Sequence, residues 1–210
     1  MKSILIIILL SVLSFNAKSQ ILTDYGIKFG TAISNQTWDY DAGFSLNNDN
    51  KIGISTRLFA DFFSWRYIQL EGELGYTRKG FTDNIPITSA DSPDGTGEYI
   101  NINNSLDYLS ISVLGKIRFS AGGLSPYIIA GPQFNFLINK NIGNGWDIAF
   151  DQFRKTNLGL TVGAGTELSD LLPFTILLEY RYERDFMDNH DSPYIKVLNY
   201  SHVILAGIKL

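Results

Sequence analysis

The amino-acid sequence predicts an all-β protein, built as an eight-stranded, antiparallel, up-and-down β-barrel. Apolar residues alternate with small or charged residues in eight segments of about ten residues each, as expected for strands whose side chains point to two faces in turn. The connections between these segments alternate between long and short. The last segment, Tyr200–Leu210, is apolar on one face, and such a strand is rarely left as an uncovered edge. If the sheet closes into a barrel, this last strand pairs with the preceding strand on one side and with the first strand on the other.

The amino terminus has a different character from the rest of the chain. Lys2 is followed by the almost wholly aliphatic run Ile4–Leu13, and the small residues Ala17 and Ser19 come next. A run of this length is about half of what a membrane-spanning helix needs. We therefore expect a signal peptide over residues 1–19, cleaved before Gln20, with an uncleaved anchor as the alternative. The remaining residues, 20–210, form one predicted domain.

Composition excludes several classes of function. The chain has 17 basic and 21 acidic residues, and the signal peptide contains two of the lysines and none of the acids. The mature chain is thus distinctly acidic, which argues against nucleic acid as a partner. The absence of cysteine excludes disulfides and thiolate chemistry. Aromatic residues make up 13% of the chain against 18% charged residues, a balance that suits an all-β protein.

The first four predicted strands are Tyr25–Ser34, Lys51–Phe62, Tyr67–Thr77 and Tyr108–Phe119. In each of them, apolar residues take most positions of one phase, and glycine, serine or charged residues take most positions of the other. In the first strand, for example, Ile27 and Phe29 alternate with Lys28. This period of two is the pattern of strands with one apolar and one polar face.

The second four predicted strands are Pro126–Ile138, Asn157–Leu168, Phe174–Glu183 and Tyr200–Leu210. Pro126–Ile138 is the least regular of them. Asn157–Leu168 is the cleanest, because Leu158, Leu160 and Val162 each follow a small or polar residue.

The predicted connections indicate how the strands are arranged. The long ones are rich in Asn, Asp, Gly and Ser and cover Asn35–Asn50, Lys79–Asn104, Asn139–Lys155 and Phe186–Lys196. The short ones are the turns Phe63–Arg66, Ser120–Ser125 and Ser169–Pro173. Four long extracellular loops on one rim and short periplasmic turns on the other are typical of a transmembrane barrel. We expect Ile85–Gly97, within the longest loop, to be disordered.

Alternation alone does not say which face of the barrel is outside. A soluble barrel of the lipocalin kind would turn its apolar face inward. However, the charged face carries nine glycines, which weaken a solvated strand but suit a narrow lumen filled with long side chains. Aromatic residues also gather at both ends of the strands, among them Tyr25, Trp65 and Tyr67 at one end and Tyr76, Phe81 and Tyr182 at the other. Two aromatic belts favour a barrel in the outer membrane.

Three segments of the sequence resemble a known family. They are Tyr127–Pro132, Tyr108–Ile111 followed by Lys116, and Leu205–Leu210. The mature chain resembles the outer-membrane β-barrel domain of Bacteroidota, whose members are called porin-family or PorT-like proteins. This chain departs from the family in having Ser112 where proline is common and Leu210 where an aromatic residue is common. Because PorT is linked to type IX secretion, the resemblance implies a possible role as an accessory of that system.

The predicted lumen face carries charges of both signs in equal number. They are Lys28, Arg57, Asp61, Glu71, Glu73, Lys116, Arg118, Glu167, Glu179, Arg181, Glu183 and Lys209. An unpaired charge in a narrow, partly dry interior is very costly, so we expect these side chains to form an ion-pair network that plugs the lumen. The alternative is a water-filled channel that solvates each charge separately, but eight strands leave little room besides side chains.

The sequence shows no convincing catalytic, metal or cofactor site. The carboxylate pairs Glu71 with Glu73 and Glu179 with Glu183 have basic neighbours that explain them as ion-pair partners. Ser201 and His202 are adjacent in a strand, so they point to opposite faces and cannot share a catalytic patch. His190 lies in the polar segment Asp188–Asp191, which we expect to be solvated.

These observations predict a non-enzymatic outer-membrane barrel with a charge-plugged lumen and a structural or loop-mediated binding role. Its expected partners are membrane lipid and a protein or surface ligand at the extracellular loops, where Trp38, Tyr40, Tyr99, Trp146 and Phe150 would supply aromatic anchors. No cofactor is expected. The alternatives are an accessory component of type IX secretion, a small porin and a membrane hydrolase that uses His190 or His202.

Overall fold

The structure of the chain is a computed structural model. It describes residues 22–41, 43–46, 48–63, 65, 67–88, 93, 96–120, 122–143, 150–169 and 173–210. The predicted signal peptide, residues 1–19, lies outside the described residues. Among the residues that are described, no helix is long and apolar enough to cross a membrane.

The residues that the structure describes form nine antiparallel strands. They are β1 (Leu22–Tyr40), β2 (Phe44–Leu46), β3 (Asp49–Phe62), β4 (Ile68–Pro86), β5 (Tyr99–Arg118), β6 (Leu124–Asn141), β7 (Thr156–Leu168), β8 (Thr175–Asp185) and β9 (Ile195–Lys209). Each of the eight long strands pairs with the next one along the chain, and β2 adds three residues beside the end of β1.

Pairing between β1 and β9 closes the sheet into a ring. This pairing runs from Gly26 opposite Lys209 to Tyr40 opposite Ile195. The prediction of an all-β, antiparallel, up-and-down barrel is confirmed, and β2 is the strand that the sequence did not indicate.

The apolar phase of each strand faces outward and the polar phase faces the lumen. In β1, the Phe29 side chain is 60% exposed whereas neighbouring Lys28 is fully buried. The same alternation follows β5, where Ile111 is exposed and Ser110 and Ser112 are buried. An apolar outer face with a polar interior is the arrangement of a transmembrane barrel and the reverse of a lipocalin-like one. Phe81 is an exception, because this predicted belt residue is buried inside.

Two strands extend much farther than predicted. β4 continues to Pro86 and β5 begins at Tyr99, so most of the predicted loop Lys79–Asn104 is a paired β-ribbon. Backbone hydrogen bonds continue past the strand ends, since the Ile87 N–H donates to the carbonyl oxygen of Glu98 over 2.9 Å. The prediction that Ile85–Gly97 is disordered is therefore wrong for both ends of that segment. Residues 89–92 and 94–95 lie outside the described part of the chain.

The three short connections lie at the opposite end of the barrel. They join β3 to β4, β5 to β6 and β7 to β8, as the sequence predicts. Gly122, in the second of these turns, has a φ of +69°, a conformation that glycine adopts without steric cost. We call this end the turn side and the end with the long connections the loop side.

Candidate functional site

The centre of the lumen holds two cations and three carboxylates from three strands. The Lys28 ammonium of β1 lies 2.6 Å from Glu71 Oε1, 3.1 Å from Glu73 Oε1 and 3.1 Å from Glu179 Oε2. Arg181 of β8 donates two hydrogen bonds to Glu73 of β4, from Nη1 to Oε2 and from Nη2 to Oε1, both of 2.6 Å. Its Nε also donates to Glu179. All five side chains are fully buried.

A second group of ion pairs lies toward the turn side. The Lys116 ammonium is 2.6 Å from Glu167 Oε1, 3.4 Å from Glu71 Oε2 and 3.5 Å from Asp61 Oδ2. Arg118 and Lys209 approach the other oxygen of Glu167 at 3.0 Å and 2.7 Å. Glu71 therefore links this group to the central one.

A third group lies toward the loop side. Arg57 Nη2 and the Lys79 ammonium approach the two oxygens of Glu183 at 2.8 Å and 3.1 Å. Arg57 Nη1 donates in addition to the Thr77 hydroxyl over 2.7 Å. The three groups together form what we call the lumen network.

All twelve lumen charges named in the sequence analysis take part in these ion pairs. Eleven of their side chains are buried, and Arg118, at the turn-side end, is partly exposed. Removing an isolated ion from water costs roughly several kcal/mol. The barrel can bury these charges because each of them lies against an opposite charge. Because side chains alternate between the two faces of a strand, these residues all lie on the inner face. Closure of the barrel then brings them into contact.

Three buried residues in or next to the network were not predicted from the sequence. Lys79 belongs to the predicted loop Lys79–Asn104, but it continues the inward phase of Glu73 and Thr77. Asp185 likewise continues the phase of Glu183, and it is buried. Tyr127 is also buried on the inner face, where its hydroxyl donates to Glu179 Oε2 over 2.6 Å. Extending the alternation by one or two steps would have found Lys79 and Asp185.

Glycines on the lumen face provide the space for the long side chains. A Cβ atom on Gly75 would lie 2.4 Å from Arg57 Nη1, and one on Gly165 would lie 2.5 Å from the ring of Tyr127. Both distances are far shorter than van der Waals contact. Small residues beside long ones are what a filled, narrow barrel requires.

Above the lumen network, Asp185 lies within a layer of amides. Asn199 and Asn189 donate to its Oδ2 over 2.6 Å and 2.9 Å. Asn199 also donates to the Tyr108 hydroxyl over 3.2 Å and accepts from Gln36 over 2.7 Å. These bonds fasten β1, β5, β8 and β9 to the segment that joins the last two strands.

A cluster of aromatic and aliphatic side chains covers the loop-side end of the interior. This aromatic cap consists of Trp38, Phe81, Leu106, Tyr108, Phe150, Phe153 and Val197. Its centre is Trp38, whose ring centroid is 5.5 Å from that of Phe150 and 5.9 Å from that of Phe153. The prediction that Trp38 and Phe150 serve as exposed loop anchors is wrong, because both are fully buried. Tyr99 is exposed, and Trp146 lies outside the described residues.

The two histidines occupy different surroundings. His190 is buried, with its ring 6.4 Å from Trp38 and 6.1 Å from Phe153, so the expectation of a solvated position is wrong. His202 lies on the outer face, where its Nδ1 is 2.7 Å from the Tyr180 hydroxyl. Ser201 is buried on the opposite, inner face. Within the described ranges, no three His, Cys, Asp or Glu side chains are grouped to hold a metal ion.

The fold is similar to that of several solved structures. One is Ail, the attachment invasion locus protein of Yersinia pestis, in complex with the heparin analogue sucrose octasulfate (18% identity, 89% of this chain and 98% of that chain covered, TM-score 0.44). Another is Neisserial surface protein A (15%, 90% and 98%, TM-score 0.48). A third is OprG from Pseudomonas aeruginosa (12%, 90% and 97%, TM-score 0.49).

No curated protein sequence matches this chain. The model of one protein family does match, over residues 16–191, and its description is "Outer membrane protein beta-barrel domain". This match covers most of the chain, including β1 to β8. The chain therefore belongs to the family of outer-membrane proteins with this β-barrel domain, and it lies in the outer membrane.

Proposed function

We propose that this protein is a non-enzymatic barrel with a closed lumen, which presents its loop-side end to a partner. One observation carries the closed lumen. In the ring of eight long strands, β4 and β8 lie opposite each other, and the Glu73–Arg181 pair joins them directly across the interior. Two further ion pairs reach the same strands, one from Lys28 of β1 to β4 and one from Arg57 of β3 to β8. An ion would have to separate these pairs in order to pass.

The loop-side end supports the binding part of the proposal. β5 pairs with β6 only as far as Ser105, and β4 pairs with β3 only as far as Thr82. Beyond these points the two strands pair only with each other, Asp83–Pro86 with Tyr99–Ile102, and form a ribbon. Tyr99 and Ile100 are exposed on it. A ribbon with exposed apolar side chains on a rigid barrel is well placed to contact a partner.

Planar bilayers test the closed lumen. Purified, refolded protein should produce no steady single-channel current, because the paired side chains occlude the path. The double substitution Glu73→Ala and Arg181→Ala removes this ion pair without leaving one of its two charges alone, while the Lys79–Glu183 pair still joins β4 to β8. This variant serves as the comparison. Stable, ohmic current steps from the unsubstituted protein would contradict the proposal.

Photo-crosslinking in intact cells tests the ribbon. A photoreactive amino acid in place of Tyr99 should give a covalent adduct with a protein or surface polysaccharide. The same group in place of Ile204, an exposed wall residue of β9, provides the control for contacts within the membrane. Equal adducts at both positions, or none at Tyr99, would remove the support for loop-side binding.

The non-enzymatic part is supported by the positions of the two histidines. His202 and Ser201 lie on opposite faces of β9, and His190 is packed in the aromatic cap. Ser201 therefore cannot act together with the His202 ring, and the His190 ring is shielded from a substrate. If His190→Ala or His202→Ala abolished a measurable hydrolysis of lipid or peptide by the purified protein, the protein would be an enzyme.

A second candidate function is that of an accessory component of type IX secretion. It rests on the PorT-like resemblance of Tyr127–Pro132 and Leu205–Leu210. Deletion of the gene should then stop the secretion of proteins that use this system, whereas a binding barrel could be removed without that effect.

A further inference from the structure

At the loop side, the seam between β6 and β7 opens into a notch. The two strands pair as far as Phe136 opposite Thr156, but β6 continues to Asn141. A cleft of about 220 Å³ lies where the strands separate. Its lining includes Ile138, Asn139 and Lys140 from β6 and Asp151, Phe153 and Lys155 from the segment before β7.

Hydrogen bonds and packing hold the walls of this notch in place. The Leu137 N–H donates to the carbonyl oxygen of Lys155 over 2.8 Å, which fixes the two sides at its base. The Lys140 ammonium donates to the carbonyl oxygen of Phe150 over 2.7 Å and keeps two further N–H donors. Phe153 is part of the aromatic cap. The notch is therefore formed before any ligand arrives.

The notch lies where the outer surface changes from apolar to polar. On β6, Phe134 and Phe136 pack against each other with ring centroids 4.8 Å apart, just before the notch begins. Ile138 is 57% exposed at its edge. Lys140 and Lys155 are exposed beside it, and Asp151 is the one acidic residue in the lining. Apolar side chains beside exposed basic ones match the two parts of an anionic lipid, which are its acyl chain and its charged headgroup.

We propose that this notch binds the phosphate-bearing headgroup of an anionic membrane lipid. Lys140 and Lys155 bind the phosphate oxygens, and Ile138 and Phe136 contact the first part of an acyl chain. A soluble phosphate would use the two lysines but would leave this apolar surface uncovered. The inference depends on the location of the barrel in the outer membrane and is independent of the closed lumen and of loop-side binding.

Native mass spectrometry of the purified protein, released from non-ionic detergent, tests this site. Phosphatidylglycerol and phosphatidylcholine are added at equal concentration, and we expect one phosphatidylglycerol to be bound roughly tenfold more tightly, since two basic side chains face the phosphate. The double variant Lys140→Gln and Lys155→Gln should lose this preference. The matched control is Arg184→Gln with Lys196→Gln, which removes two exposed positive charges elsewhere on the loop side and should keep the preference.

Three results would overturn the proposal. One is an equal affinity of the unsubstituted protein for the two lipids. Another is an unchanged preference in the Lys140/Lys155 variant, whose fold is checked by its different gel migration before and after boiling. The third is displacement of phosphatidylglycerol by glycerol 3-phosphate at similar concentration, which would show that the site takes a soluble phosphate and not a lipid.

Discussion

Arg181 has three ion-pair partners at the centre of the lumen, as many as Lys28 has. It contacts Glu71, Glu73 and Glu179, and all four side chains are fully buried. We expect Arg181→Ala to destabilise the barrel by about 3–5 kcal/mol, because Glu73 and Glu179 would then have only the Lys28 ammonium as an ion-pair partner. The measurement is the free energy of unfolding by urea in lipid vesicles.

The matched control for this prediction is Arg184→Ala. Arg184 lies on the same strand but on the outer face, where its side chain is exposed. Its removal should leave the urea midpoint nearly unchanged. Similar losses in the two variants would show that stability depends on the number of arginines and not on the buried network.

Gly165 and Gly115 make a second comparison at the residue scale. A Cβ on Gly165 would lie 2.5 Å from the Tyr127 ring and 2.6 Å from the Leu178 carbonyl oxygen, whereas a Cβ on Gly115 would have its nearest neighbour at 3.7 Å. We expect Gly165→Ala to cost about 1–3 kcal/mol of unfolding free energy through overpacking. Gly115→Ala should cost nothing or stabilise slightly. Urea unfolding of both variants checks this, and the reverse order would contradict a tightly filled lumen.

The residues of the lumen were largely predictable, but their partners were not. Strand parity alone places Glu73 and Arg181 on the inner face. Their bidentate contact depends on the relative height of β4 and β8, which is set by strand tilt and by the stagger of the closed ring. The polar segment Asp188–Asp191 predicts a solvated position for His190. The prediction is wrong because Trp38 and Phe153, which are distant in the sequence, pack against its side chain.

At the scale of elements, the ends of the strands were the hardest feature to predict. The Asn-rich start of β5 has the composition of a loop, since asparagine favours turns. Here it is paired along β4, and Asn101 Nδ2 donates to Asn84 Oδ1 across the ribbon over 2.9 Å. The partner strand supplies backbone hydrogen bonds that composition does not reveal. Within the membrane-spanning part, the period of two was clear enough to place each long strand.

Trp38 should control the order of the loop-side segments. It joins β1 to Phe150 and Phe153 and to His190 on the connection between β8 and β9. We expect Trp38→Ala to leave the barrel folded but to speed trypsin cleavage after Arg154 by roughly tenfold, because local opening becomes easier when the cap loses its central ring. Timed digestion of the folded protein, followed by mass spectrometry, measures the rate.

Tyr99→Ala is the control for the aromatic cap. Tyr99 is also a large aromatic residue at the loop side, but it is exposed on the ribbon. Its removal should not change cleavage after Arg154. Equal cleavage of the two variants would mean that Trp38 does not hold these segments.

At the scale of the whole molecule, one pairing turns a sheet into a barrel. β9 bonds to β8 on one side and to β1 on the other, so its last residues complete two seams at once. Lys209 also reaches into the lumen network through Glu167. The sequence predicted this closure from the alternation of the last strand, since a strand with an apolar outer face needs partners along both edges in lipid.

Deletion of the last five residues, Ala206–Leu210, should therefore prevent folding and not merely weaken it. The variant would leave backbone groups of Ile27 and Ile176 without their Ile208 partner in the apolar band, where each unpaired group is costly. We expect it to lose the faster-migrating, heat-modifiable band on a gel after refolding into vesicles. Leu210→Ala should retain that band, because Leu210 is bonded to Tyr25 only through its backbone. A heat-modifiable band from the deletion variant would show that the ring closes without this part of β9.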